Sequence, residues 1–359
     1  MNNINLSKLI LNIAKFSDSK ICSKFQLQNL IDIMITHLTI FQTEAYLKAY
    51  DIPQNCSIPI NENIAIPGYY ENGILKLFMP LLDESLLGYS RILELMKEFK
   101  VKEIILHSCY TDNSNNDGNK RRFILRENSN LFILLPESIE AYLLTLQDRT
   151  RRRIRSYNRN FFQTFSSVKC LTQYKHEVNI DDFMEIIRLK QERCRSKGFE
   201  SAINTLYAEK LFSIVSLYGF ITILKYENRV IAGIIGTRVG NEVYLHVISH
   251  DNSYNDFHIG YVILLKSIEQ AIKDNIYIFN LLWGGNGIKC EGSQYRIQFG
   301  SQRKFLNDVT YYKYGFDYYK ARFKYKYSST TKTLFKFVVN HIERIYRFAG
   351  RKLKAIVLD

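Results

Sequence analysis

The nine residues VYLHVISHD, Val243 to Asp251, hold three side chains able to take up a proton near neutral pH: His246, His250 and Asp251. Such a group is needed where a nucleophile must lose its proton as it attacks. Each also has an ordinary structural use, as a packed imidazole or a loop-capping carboxylate. Further on, Lys289 in WGGNGIK could meet an acceptor or a phosphate, or be a solvated turn lysine. Tyr254 could close over a bound ligand or pack within its loop. Upstream, QDRTRRRIRSYNRNFF carries six arginines between Arg149 and Arg159, with Asp148 as the only acid. Ile154, Tyr157 and Phe161 run through them at helical spacing, so the arginines surround a packed stripe. Arg151, Arg155 and Arg159, at i, i+4 and i+8, share one face and are the ones expected to meet a phosphate of substrate or membrane.

The elements that must hold these residues can be read from periodicity. TIFQTEAYLKAY (Thr39 to Tyr50) is a short helix with Phe41, Ala45, Leu47 and Tyr50 on one side, and Asn72-Gly73 joins two short apolar strands as a hairpin. A helix from about Ser85 to Phe99, a strand over Val101 to His107, a polar loop from Thr111 to Lys120 and a strand stopped by Pro136 follow. Ser138 can cap one long helix from Ile139 to about Phe165. A strand near Val168 to Gln173 leads to helices over Asp181–Cys194 and Asn204–Leu217. Three antiparallel strands with Glu227-Asn228 and Gly240-Asn241 turns come next. A helix from Tyr261 to Lys273 and a strand over Tyr277–Trp283 then run into a glycine-rich turn that needs backbone freedom or close approach by a ligand. From about Gly315 the chain changes character: eleven Lys or Arg and one acid, Glu343, lie between Lys320 and Lys354. That tail reads as a basic amphipathic helix, either solvated or able to lie on an anionic membrane.

With 359 residues, 46% of them hydrophobic, the chain can bury a large core, and its length favours two domains. A formal charge of +14 favours phosphate-rich partners, whether nucleic acid, anionic lipid or a nucleotide-bearing cofactor. The six cysteines form no CxxC pair and no zinc or disulfide pattern, so no metal is expected and a reducing cytoplasm fits. No secretion signal or membrane-spanning run is present.

The order of elements resembles the acyl-CoA-binding half of the GNAT acyltransferase fold. LQDRTRRRIRSYNRN resembles the basic helix that opens the acetyltransferase domain of proteins linked to bacterial cellulose and exopolysaccharide synthesis; a related helix occurs in the Fem-type aminoacyltransferases, which carry two GNAT-like domains. HDNSYNDFHIG is similar to that family's Asp, Tyr and loop-closing Gly at Asp251, Tyr254 and Gly260. FNLLWGGNGIK matches a strand-end motif at Gly284 and Lys289, with Asn280, Trp283 and Ile288 where that family has Asp, Arg and Tyr. TIFQTEAYLKAY resembles its N-terminal Phe-Gln-Thr helix opening.

The resemblance implies an α/β (α+β) fold, a GNAT-like mixed, largely antiparallel sheet flanked by helices, as two GNAT-like halves in tandem. Residues 1–136 would be an N-terminal α/β domain of degenerate GNAT type, 137–314 the transferase domain and 315–359 the basic tail. It implies acyl-CoA, acetyl-CoA above all, as co-substrate. The pantetheine arm would lie between Glu242–Ser249 and Tyr277–Trp283, on Val247, Ile248 and Ser249, and the pyrophosphate at His258, Ile259, Gly260 and Tyr261. Tyr254, Trp283, Arg155 and Arg296 would meet the acceptor, an amine or hydroxyl of a sugar, glycan or envelope precursor. The alternatives are an aminoacyl-tRNA-dependent Fem-like transferase, a scaffold without catalysis, and a non-enzymatic nucleic-acid binder. No helix-turn-helix, zinc or RNA-recognition signature supports the last. The place of action is the cytoplasm, with the tail able to reach the inner face of the membrane.

Overall fold

The computed structural model describes residues 39–60, 65–111, 121–283 and 295–326. A 3-10 turn at Ile40–Gln42 leads to α1 (Glu44–Ala49), β1 (Cys56–Pro59), β2 (Ala65–Glu71), β3 (Ile74–Phe78), α2 (Gly88–Glu98), β4 (Glu103–Tyr110) and β5 (Arg122–Leu134). Then come α3 (Ile139–Thr145), α4 (Asp148–Thr164), β6 (Lys169–Tyr174), α5 (Ile180–Ser196), α6 (Thr205–Tyr218), β7 (Gly219–Tyr226), β8 (Arg229–Val239) and β9 (Glu242–His250). The described chain ends with α7 (Ile259–Lys273), β10 (Ile278–Trp283), β11 (Gln302–Tyr312) and α8 (Gly315–Lys326). The tail beyond residue 326, the loop at 112–120 and the segment 284–294, with the glycine turn and Lys289, lie outside the described residues.

All eleven strands form one sheet in the order β1-β2-β3-β4-β11-β5-β10-β9-β8-β7-β6. Only β3 with β4 and β9 with β10 run parallel, and each of these pairs is joined through a helix, α2 or α7. The tight turn at Asn72-Gly73, with φ of 53° and 77°, makes the β2–β3 hairpin that the dipeptide announces. Near the centre the halves exchange strands: β5 pairs with β10, whereas β11 crosses back to pair with β4, and β5 and β11 lie side by side. A cut after residue 136 therefore separates β5 from the strand it bonds to.

Helices cover both faces. On one, α3, α4 and α7 bury Tyr142, Ile154, Phe161, Val262 and Ile263 against Ile234, Val243 and Leu245. On the other, α5 and α6 bury Phe183, Ile186 and Leu211 against Ile223, Ile235 and Val247. The alternation of Ile234 and Ile235 is the period of two expected of a strand covered on both sides. Helix α2 closes a separate core with Leu75, Leu77, Leu95 and Leu106, and the turn at Ile40–Gln42 covers the seam through Ile40 and Phe41, beside Tyr110 and Tyr244.

The structure differs from the sequence reading in several places. The helix expected over Thr39 to Tyr50 is a 3-10 turn and the short α1, with Thr43 extended between them (ψ 143°), and strand β1 was not expected. The helix expected over Ile139 to Phe165 is two, α3 and α4, because Leu146 is extended (ψ 149°) and buries its side chain; Ser138 does cap α3 through Ala141 N, at 3.1 Å. Helix α7 begins at Ile259, not Tyr261. The strand before Pro136 is longer than expected, starting at Arg122. Strand β11 is an element that the periodicity did not announce.

Candidate functional site

Strands β9 and β10 pair at Glu242↔Ile278, Val243↔Phe279 and Tyr244↔Asn280, and there the ladder ends. Two irregularities drive the strands apart. On β9, Val247 faces Ile235 and Leu245 faces Gly236, so His246 is an extra residue, a β-bulge that bends the strand. On β10, the register against β5 shifts between Asn280 and Leu282, and Leu282 takes a left-handed φ of 56°, so the strand follows β5 instead of β9. The strands part as a wedge beside Leu245 to His250, where no residue of β9 pairs with β10 among the described residues.

The floor of the wedge is polar and interlinked, with Asn130 Oδ1 alone in this network lacking a partner among the described residues. Asn130 donates to Tyr110 OH (2.7 Å) and to Asn280 Oδ1 (2.9 Å), Asn280 donates to Glu242 Oε2 (3.2 Å), and Tyr244 OH donates to the same carboxylate (2.6 Å). Burial first, and then Glu242, push the Tyr244 hydroxyl well above its usual pKa, so it stays a donor. Asn280, which stands where the resembling family has Asp, is thus a clamp between strands.

The two histidines differ. His246 Nε2 lies 2.8 Å from Thr237 Oγ1, with the Phe41 ring 6.5 Å from its own. Burial pulls its pKa down to about 4, so the imidazole is neutral at pH 7. Only Nε2 is engaged among the described residues. His250 is buried and has both nitrogens occupied: Nε2 is 2.9 Å from Asn255 Oδ1 and Arg193 Nη1 is 3.1 Å from Nδ1, the same guanidinium also touching Nε2. Burial, then the Arg193 charge, bring its pKa to about 4. Asp251 accepts from Ser253 N at 2.9 Å, capping the turn that follows β9.

That turn ends at His258, in the left-handed region (φ 53°), and α7 starts after it without a side-chain cap. The exposed His258 ring stacks on Tyr157 of α4, centroids 3.8 Å apart. Gly260 lets α7 pass close to the site: a Cβ there would stand 3.2 Å from the His250 ring, a tight contact, and Tyr295 OH donates to the Gly260 carbonyl. Tyr261 OH donates to Gln298 Oε1 (2.6 Å), an oxygen that also accepts from Arg153 Nη2. Ile259 is core, Val247 and Ile248 pack on opposite sides of the sheet, and Ser249 Oγ is buried without a hydrogen-bond partner. The Tyr254 ring packs on Phe165, 5.3 Å away. Trp283 is placed by its backbone pairing with Asn130.

On α4 the face that reaches the α7 start carries Arg153 and Tyr157. Arg155 and Arg159 are exposed, and Arg151 pairs with Asp148 at 2.5 Å. Arg193 and Lys190 of α5 approach the wedge with half-buried Arg296, and the sequence reading named only the last. The signal was available: Lys190, Arg193 and Lys197 lie at i, i+3 and i+7, one helical face.

Residues 148–290 match the model of the acetyltransferase (GNAT) domain. That span runs from the start of α4 past the end of β10 and contains the bulge, the wedge and the turn before α7. Among solved structures, FemX is similar with a TM-score of 0.58 at 8% identity, covering 82% of this chain and 97% of that one. The C-terminal DUF2156 domain of a protein assigned as a lysylphosphatidylglycerol synthetase from Agrobacterium fabrum is similar at 0.52 and 8%, covering 83% and 94%. A conserved protein of unknown function from Bacteroides thetaiotaomicron is similar at 0.51 and 14%, covering 76% and 91%. At these identities the likeness is one of fold: a GNAT-type acyltransferase architecture. No curated protein matches the chain in sequence. No helix among the described residues is long and apolar enough to cross a membrane, and no group of His, Cys, Asp or Glu among them could hold a metal.

Proposed function

We propose that the protein transfers an acyl group from acyl-CoA to an amine or hydroxyl, and that the parting of β9 from β10 at the His246 bulge is the donor site. The observation that carries this is the wedge itself. A strand edge that ends its ladder in mid-sheet offers peptide donors and acceptors to an extended amide-bearing arm. The uncapped start of α7 offers free amides to an anion at the mouth. Acyl-CoA would supply an acyl carbon activated as a thioester. Amides at the bulge would hold the carbonyl oxygen as it gains negative charge. In the tautomer whose Nε2–H donates to Thr237 Oγ1, His246 keeps the Nδ1 lone pair free to take the nucleophile's proton. His250, with both nitrogens occupied, positions Arg193 and the α7 start. Acetyl is the acyl group, and a sugar or lipid-linked glycan the acceptor class, that the sequence resemblance favours.

Calorimetric titration of the purified chain with acetyl-CoA and CoA tests the donor. Saturable binding with a rise in melting temperature is expected. Absence of binding at millimolar CoA, together with salt-sensitive binding of tRNA, would replace acyl-CoA by an aminoacyl-tRNA donor.

A further inference from the structure

The turn Ile40–Gln42 belongs by sequence to the first half of the chain and packs into the site of the second. Gln42 Nε2 donates to the Pro80 carbonyl just past the end of β3, at 3.2 Å, with Thr39 Oγ1 at the same distance from it, and Thr43 Oγ1 donates to Ile40 O at 2.8 Å. These bonds pin the backbone on either side of Phe41. Its ring, 4% exposed, is set in the seam with Tyr244 of β9 and with Leu282, the residue at which β10 turns away. It meets Tyr244 edge-on at 5.9 Å and the His246 ring at 6.5 Å and 68°, the distances of edge-to-face contacts. Behind it lies Tyr46, 5.0 Å away, and Tyr50 and Tyr207 of α6 continue the row. An aromatic wall built from one half thus stands against a histidine of the other.

No charge accounts for the state of His246; burial draws its pKa down. The titratable groups around Phe41 and this part of β9 are the Tyr46 and Tyr244 phenols, which burial holds protonated, and the Glu242 carboxylate, which accepts from Tyr244 OH. On α6, Lys210 is paired with Asp51 at 2.5 Å, and Arg193 of α5 is turned to His250. The packing that displaces water from the imidazole therefore decides its proton affinity, and Phe41 is the ring that lies against it. His246 is only half-buried, so part of its ring stays open, as a group that must meet a nucleophile requires.

We propose that Phe41 is a positioning residue for His246: supplied by the first half, its ring closes one side of the imidazole to water and fixes it beside Thr237, so that the site is complete only with both halves. The imidazole stays neutral in consequence. That this serves acyl transfer rests on the reading of His246 as the base given above.

Nuclear magnetic resonance of the full chain with carbon-13-labelled histidine reads the site without substrate. His246→Gln identifies the signal among those of the seven histidines. Between about pH 4.5 and 8, where an ordinary histidine titrates, the parent's His246 signal is expected to move only at the acid end. Phe41→Ala, which lets water reach the ring, should raise the midpoint by at least about one pH unit. Phe41→Val, a smaller cut, should raise it less and decides the matter where Phe41→Ala does not fold. Phe41→Met, which refills the space with an apolar chain, should keep the parent's midpoint. Phe212→Ala, which removes a ring packed on Phe183 between α5 and α6, should keep it too. The proposal fails if the parent's His246 titrates like an ordinary histidine, if neither truncation of Phe41 moves the midpoint, or if Phe212→Ala moves it as far. Failure of acetyl-CoA to bind the unaltered chain strikes the donor reading alone and leaves the resonance result standing.

Discussion

The molecule holds the same unit twice, and the two copies are used in opposite ways. In each, an antiparallel pair passes through a helix to a parallel neighbour: β2-β3-α2-β4 in one half, β8-β9-α7-β10 in the other. In the first copy the parallel ladder holds five positions, Ile74↔Glu103 to Phe78↔His107. It then continues as single bonds, Met79 N to His107 O (3.2 Å), Leu81 N to Ser108 O (3.1 Å) and Tyr110 N to Leu82 O (2.7 Å). Arg122 and Glu84, nearly buried and bonded twice at 2.6 Å, lock the place where an opening would be. In the second copy the ladder holds three positions, a bulge intervenes, and the strands part. Topology therefore allows a cleft but does not make one; register decides.

The largest effect should separate the copies by activity. His246→Gln is expected to lower turnover by about 10²- to 10⁴-fold, the range for losing a general base, whereas His107→Gln on β4 should leave it unchanged in the same steady-state assay. Equal losses would erase the distinction. Next comes the lock of the closed copy. Arg122→Met removes the charged partner of the nearly buried Glu84, leaving its carboxylate only the Tyr311 hydroxyl among the described residues, and should cost about 3–5 kcal/mol in denaturant unfolding, with part of it recovered when Glu84→Leu is added. Acid should weaken the open copy specifically. His246 and His250 sit near pKa 4 in the fold, against 6.5 ordinarily, so between those values the unfolded chain binds protons that the native one does not. Stability is complete above about pH 6.5 and falls toward pH 4, by on the order of 3 kcal/mol for the buried His250. The double variant His246→Gln/His250→Gln should flatten that slope in melting curves. The smallest contrast lies on α4: Arg153→Ala loses the bond to Gln298 and should cost about 1 kcal/mol, with Arg155→Ala within about 0.5 kcal/mol of the parent.

The second copy was the more legible in the sequence. β7 and β8 are near-continuous apolar runs of strand length, the turns after them carry Asn and Gly, and α5, α6 and α7 keep a clear apolar stripe. The break at Leu146 was invisible because neither Leu nor Gln147 is a helix breaker; the extended backbone there serves the burial of Leu146. β11 could not be read because QRKFLNDVTYY is settled by what lies on both sides of it, β4 and β5, which are remote in sequence. At the site, His246 and His250 were visible as residue types, but a bulge made without Gly or Pro leaves no local mark. The ranking between the two histidines came from their partners, Thr237 for one and Arg193 with Asn255 for the other. Arg193 and Lys190 were not singled out in the sequence, and it is the contact of Arg193 with His250 that places them.

The exchange of β5 and β11 bears on how the chain comes off the ribosome. β4 is made early, yet its neighbour on the side facing the sheet centre is one of the last strands to emerge. Until residues 302–312 leave the exit tunnel, β4 and β5 each present an open edge, the kind of surface that chaperones hold and that strays into aggregates. The price of welding two halves into one sheet is thus a long interval of exposure during synthesis, and slowing elongation just before β11 should lower the yield of native protein more than slowing it after β10 of an equivalent chain whose strands were not exchanged.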